Sequence, residues 1–117
     1  MKRQTLFTLF ALICAASIIA QGVSYTAVEA AKHVGETTRI TGTVDGVHQS
    51  GKGNIFLKMG GTYPNQAFTA FIPSASAAQF PNPRQYEGKT MSVSGKITLY
   101  KGKPEIIVNS PSQIVAK

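Results

Sequence analysis

The sequence predicts an all-β domain with small α content, closed as a five-stranded Greek-key barrel. Three observations carry this reading. Apolar and polar residues alternate with period two in five separate segments, the pattern of strands buried on one face. Breaks rich in glycine or proline separate those segments, several at hairpin length. Helix-forming runs occur at only two places, one ahead of the first strand and one between the third and the fourth.

Tyr25 to His33 is rich in helix formers and runs into Val34-Gly35, where glycine supplies a stop, so a short N-terminal helix is expected. Beyond Gly35 the period changes. Ile40, Gly42 and Val44 alternate with Arg39, Thr41 and Thr43, giving a first strand over about 36 to 48. Gln49-Ser50-Gly51-Lys52-Gly53-Asn54 is a hairpin connection. A second strand over about 54 to 60 places Ile55, Leu57 and Met59 on one side and Phe56 and Lys58 on the other. Gly60 to Asn65 breaks it. The third strand, Ala67 to Ile72, groups Phe68, Ala70 and Ile72 against Thr69 and Phe71.

Pro73 ends the third strand, and Ser74 to Phe80 reads as a short helix capped by Ser74 and closed by Pro81. Pro81-Asn82-Pro83 then dictates an extended passage. The longest alternation follows over about 89 to 100, with Met91, Val93, Gly95, Ile97 and Leu99 on one face. Lys101-Gly102-Lys103 turns into a fifth strand from Pro104 to Val108, and Gln113 to Val115 forms a short coda. Glycines within strands, Gly42, Gly46 and Gly95, suit strands that bend sharply to close a ring. Five strands with a helix between the third and fourth match a barrel of the OB type. A mixed sandwich of similar size is the competing arrangement.

Ahead of this domain, Met1-Lys2-Arg3 places two cations before an uncharged stretch from Thr5 to Ala20. That stretch is about 16 residues, short of the roughly 20 a spanning helix needs. The pattern is that of a secretory signal peptide over 1–22, cleaved before Val23 or after Ala20, with an uncleaved anchor as the alternative. The expected product is one periplasmic or secreted domain, 23–117, a monomer with no integral membrane span. Cys14 follows the bulky Ile13, which argues against a lipid-attachment site, and lies within the leader. The mature chain therefore has no cysteine and no disulfide framework.

The chain holds 12 Lys+Arg against 5 Asp+Glu. Removing Lys2 and Arg3 with the leader leaves ten cations against five acids, a net charge of +5. Such a charge permits contact with nucleic acid, anionic lipid or acidic envelope polymers and says nothing of fold.

The residues also carry a resemblance. Gly42-Thr-Val-Asp-Gly-Val47, Phe56-Leu57, Gly60-Gly-Thr-Tyr-Pro-Asn-Gln66, Phe68-Thr-Ala70, Tyr86-Glu-Gly-Lys89, Ser94-Gly-Lys-Ile97, Tyr100-Lys-Gly-Lys-Pro-Glu-Ile-Ile107 and Ser110-Pro-Ser-Gln-Ile114 are the stretches concerned. Over about residues 28 to 115 they resemble exported bacterial OB-fold proteins of the nucleic-acid-binding tRNA or helicase type. The resemblance implies the fold more strongly than an activity, because one fold hosts many functions.

OB folds hold single strands across their second and third strands and between the loops joining strands one to two and four to five. In this sequence that places Phe56, Lys58 and Phe71 on the outward face, His48 and Lys52 near one loop, and Lys96, Tyr100, Lys101 and Lys103 on the last hairpin. Cations to meet phosphate and rings to stack bases are what single-stranded DNA or RNA requires. The competing reading packs Phe56 and Phe71 under the helices and leaves the lysines as a solvated rim. A protein or envelope partner, a glycan or a small ligand is the alternative occupant. Tyr63 is expected to anchor its loop on Pro64, with stacking on a ligand as the alternative, and Glu105 to pair with a nearby lysine.

Catalysis finds little support. Asp45 and the glutamates at 29, 36, 87 and 105 are scattered, and His33 and His48 have no partners at ligand spacing, so no metal or cofactor is expected. Gly46-Val-His-Gln-Ser-Gly51-Lys52-Gly53 nearly spells a phosphate-binding loop. It fails because Gly53 stands where Ser or Thr should hold magnesium, and because a strand follows instead of a helix.

Overall fold

The alternation that begins after Gly35 becomes the longest strand of a computed structural model that describes residues 23–117. The expected signal peptide and Cys14 lie outside the described residues. Seven strands are present: β1 (Tyr25–Thr26), β2 (Thr37–Gln49), β3 (Ile55–Met59), β4 (Phe68–Ile72), β5 (Thr90–Tyr100), β6 (Lys103–Ile107) and β7 (Ile114–Ala116). The five strands expected from alternation are β2 to β6, within a residue or two at each end. The coda is β7.

β2 pairs antiparallel with both β3 and β5, β3 with β4, and β5 with β6, while β4 and β6 run parallel. These pairings join β2, β3, β4, β6 and β5 into a ring of five strands. β1 lies parallel to β2, and β7 antiparallel to β5, as short flanking additions.

Two long strands make the closure by changing partners along their length. Thr37 to Thr43 of β2 face β5, whereas Val44 to Gln49 face β3, with a bulge between Val44 and Gly46 at the crossover. In β5, Thr90 to Lys96 face β2 and Ile97 to Tyr100 face β6. The second crossover requires Gly95. Its φ of +151° is a conformation that side chains rarely adopt, and a Cβ there would meet Ile106 Cγ2 at 2.6 Å.

The inward residues of the alternation fill the ring. Ile40, Val44, Ile55, Leu57, Met59, Phe68, Ala70, Ile72, Val93, Ile97, Ile106 and Val108 are fully buried in one cluster. Each large aliphatic side chain in such a core contributes about 1.5–3 kcal/mol by leaving water. Phe80 closes the ring's interior from the β4–β5 connection.

The helical segments differ from expectation. The run 25–33 is not one helix: Tyr25–Thr26 joins β2 as strand, and Val28–Lys32 is a single 3₁₀ stretch. Five residues are too few for α-helix nucleation to repay itself, and only Ala27 and Ala30 of this run are buried. Ser74–Gln79 is also 3₁₀. Ser74 is not its cap: the N-cap is Pro73, with no side-chain cap bond, and Asn54 Oδ1 from the β2–β3 turn accepts the Ser74 N–H at 2.8 Å. After Pro81, Pro83–Tyr86 turns instead of remaining extended, because proline fits the first position of a helical turn. Ser110 and Gln113 form a capping box around the last 3₁₀ turn, Pro111–Gln113. Among the described residues no helix is long and apolar enough to cross a membrane.

Candidate nucleic-acid interface

Since Ile55, Leu57, Met59, Phe68, Ala70 and Ile72 point into the core, the pleat carries Phe56, Lys58, Thr69 and Phe71 outward. Strand register then aligns them in two neighbouring rows. One row runs His48, Phe56, Phe71 and Ile107 across β2, β3, β4 and β6. The other runs Lys58, Thr69, Glu105 and Thr98 across β3, β4, β6 and β5. The first is an aromatic ridge, in which the His48 and Phe56 rings lie 5.9 Å apart and stacked.

Two loops rise beside the rows. In the β5–β6 turn, Lys101 and Gly102 both have positive φ, as a tight two-residue hairpin demands. That geometry sets Tyr100 opposite Lys103, with Lys101 Nζ 5.3 Å from the Tyr100 ring centre. In the β3–β4 loop, Asp45 Oδ2 accepts the Gly61 N–H at 2.7 Å and so ties the loop to the β2 bulge. Lys103 Nζ donates to the Pro64 carbonyl and links the two loops. Between them lies a cleft of about 500 Å³.

Of the residues expected at the site, His48, Phe56, Lys58, Tyr100, Lys101 and Lys103 line this cleft. Phe71 lines an adjoining cavity of about 130 Å³ together with Phe56, Tyr100 and Glu105. Phe56 and Phe71 are thus on the outer face and do not pack under the helical turns. Lys52 is exposed in the β2–β3 turn, and Lys96 is exposed on β5 opposite Thr37; neither lines either of these two cavities.

Tyr63, Gln66, Thr69 and Glu105 line the cleft as well. Tyr63 is 66% exposed, with Lys58 Nζ 5.5 Å from its ring centre, and its ring borders the cleft. Gln66 and Thr69 join through Nε2 to Oγ1 at 3.3 Å. Glu105 sits beside Thr69 on β6 and, contrary to expectation, has no lysine partner: the ion pairs among the described residues are His33–Glu36 and Arg84–Glu87. The alternation of β4 and β6 already places Thr69 and Glu105 outward, and that was the available signal.

Burial shifts two ionisable groups here. It pushes the Glu105 carboxyl above its usual range and draws the Lys58 ammonium below its own. Among the described residues no group of three or more His, Cys, Asp or Glu could hold a metal.

No family model matches the chain, and no curated protein does. Among solved structures it is similar to a chain described as an aspartyl-tRNA synthetase from Leishmania major Friedlin, with a TM-score of 0.53 and 12% identity. The likeness covers 80% of this chain and 20% of that one, so the chain spans about a fifth of the synthetase's length. It concerns the fold alone and is consistent with an OB-type fold.

Proposed function

We propose that this is an exported, non-catalytic OB-type Greek-key barrel whose outer β3–β4 face binds single-stranded nucleic acid. The observation that carries the reading is the convergence of Phe56, Tyr63, Tyr100, His48, Lys58 and Lys101 on one cleft. Each ring offers a face on which a base can stack, at about 1–3 kcal/mol per base. The lysines stand where the phosphates of a stacked strand would pass. A cleft of about 500 Å³ lies within the range that encloses small ligands and accommodates one base with its sugar. The basic charge supports the reading, as does the fold likeness to a protein whose name assigns it a tRNA substrate. Export rests on the leader sequence, and absence of catalysis on the scattered acids.

A labelled single strand of about 12 nucleotides, within the span one OB fold covers, tests this by fluorescence anisotropy at low and moderate salt. Saturable binding that weakens steeply with salt is expected. No binding at low salt would overturn the reading and leave a protein or envelope partner for the same face.

A further inference from the structure

The rings and lysines around the cleft account for holding a strand, but not for the carboxylate beneath it. Glu105 is 8% exposed and lines both cavities, yet among the described residues its side chain has neither an ion pair nor a hydrogen bond. Its oxygens open on the cleft, so a carboxylate largely withdrawn from water stands there without a protein partner. Next to it, Gln66 gives its Nε2 to Thr69 and leaves Oε1 buried with no partner. Glu105 and Gln66 Oε1 are therefore acceptors with no protein donor bonded to them, on either side of the Thr69 hydroxyl. None of the nearby lysines pairs with Glu105: Lys58 lies over Phe56 and Tyr63, Lys101 over Tyr100, and Lys103 donates to the Pro64 carbonyl.

We propose that the cleft selects guanine, whose N1–H and N2–H₂ donate side by side to the Glu105 carboxylate while its ring stacks on the aromatic wall. This rests on the nucleic-acid reading. An ionised carboxylate only accepts, so it matches the one base edge that presents two adjacent donors. Adenine and cytosine offer a single amine beside a ring-nitrogen lone pair, which would face the carboxylate oxygens repulsively. Thymine and uracil set their one ring N–H between two carbonyls. A free organic cation would satisfy the carboxylate but must pass three lysines at the rim. A polyanion is drawn in by the same lysines.

The test uses three strands of equal length: all thymine, thymine with one central guanine, and thymine with one central adenine. The protein is expected to bind the guanine strand about tenfold or more tighter than the other two, the discrimination a bidentate base contact gives. In E105Q, whose folding is checked by thermal melting, the ratio of guanine to thymine affinity is expected to fall to near one. Equal affinity for all three strands would overturn the guanine pocket while leaving nucleic-acid binding intact. Failure to bind any strand would overturn both. A guanine preference that survives in E105Q would remove Glu105 from the recognition.

Discussion

Phe56 and Phe71 stand directly opposite each other on β3 and β4, with ring centres 5.3 Å apart and planes inclined at 53°. Tilted pairs of this kind contribute about 0.5–1.5 kcal/mol beyond their burial. Phe71 therefore braces Phe56, and Phe56 presents its other side to the cleft and to His48.

Replacement of Phe56 by alanine is expected to weaken oligonucleotide binding by roughly 1–3 kcal/mol, the loss of one stacked base. Tyr100→Ala should produce a similar loss of affinity. It should change stability by no more than about 0.5 kcal/mol, because Tyr100 is 54% exposed. Anisotropy titrations paired with urea melts separate the two effects. A Tyr100→Ala protein that melts early but binds normally would show that the ring is structural.

The strands were legible because Ile55-Phe-Leu-Lys-Met59 and Phe68-Thr-Ala-Phe-Ile72 alternate cleanly, and alternation is enforced by burial of one face. The same alternation made Phe56, Lys58 and Phe71 readable as outward residues. The helical turns were less legible, since the Tyr25–His33 composition reports helix propensity while contact with β2 decides the outcome at Tyr25 and Thr26. The surroundings of Tyr63 and Glu105, and the missing lysine partner of Glu105, were illegible for a related reason. Their surroundings come from a loop tied down by Asp45 and from the parallel β4–β6 pairing, both set by distant parts of the chain. Lys52 and Lys96 line neither cavity, because turn and register, not sequence nearness, decide which side chains reach the cleft.

Gly95→Ala is expected to destabilise the fold by about 1–3 kcal/mol, the range for overpacking a filled core. The added methyl would strike Ile106 at the β5 crossover. Urea denaturation checks this, and in an Ile106→Ala background, which lacks Cγ2, Gly95→Ala should cost less than it does alone. Unchanged stability in the single variant would mean that the crossover is not the tight point.

Burial raises the Glu105 carboxyl, so the folded protein holds that proton more tightly than the unfolded chain does. The resulting contribution to stability is greatest while Glu105 is protonated. It is lost as pH climbs from the ordinary value near 4.5 through the raised one. Glu29, lowered by the Thr26 N–H, works in the opposite sense and cancels when wild type and E105Q are compared. Thermal melts against pH should show wild type losing stability relative to E105Q across that window. A constant difference would contradict the burial of Glu105.

Each phosphate neutralised on a single strand steepens the dependence of log K on log salt by about 0.7. Lys101→Ala should therefore flatten that slope by about 0.7. Lys52→Ala, which removes a cation lining neither cavity, should leave it nearly unchanged. Titrations at four or five salt concentrations measure both, and equal slopes for Lys101→Ala and wild type would place the strand elsewhere.

The central claim is that nucleic acid lies on the outer face of β3 and β4. Amide chemical-shift mapping during titration with an unlabelled single strand tests it most directly. The largest changes are expected at His48, Phe56, Lys58, Thr69, Phe71 and in the turn at Lys101, with little change at Thr37, Lys96 or Val115. Changes concentrated on the β1–β2–β5–β7 side, or no changes at all, would contradict it.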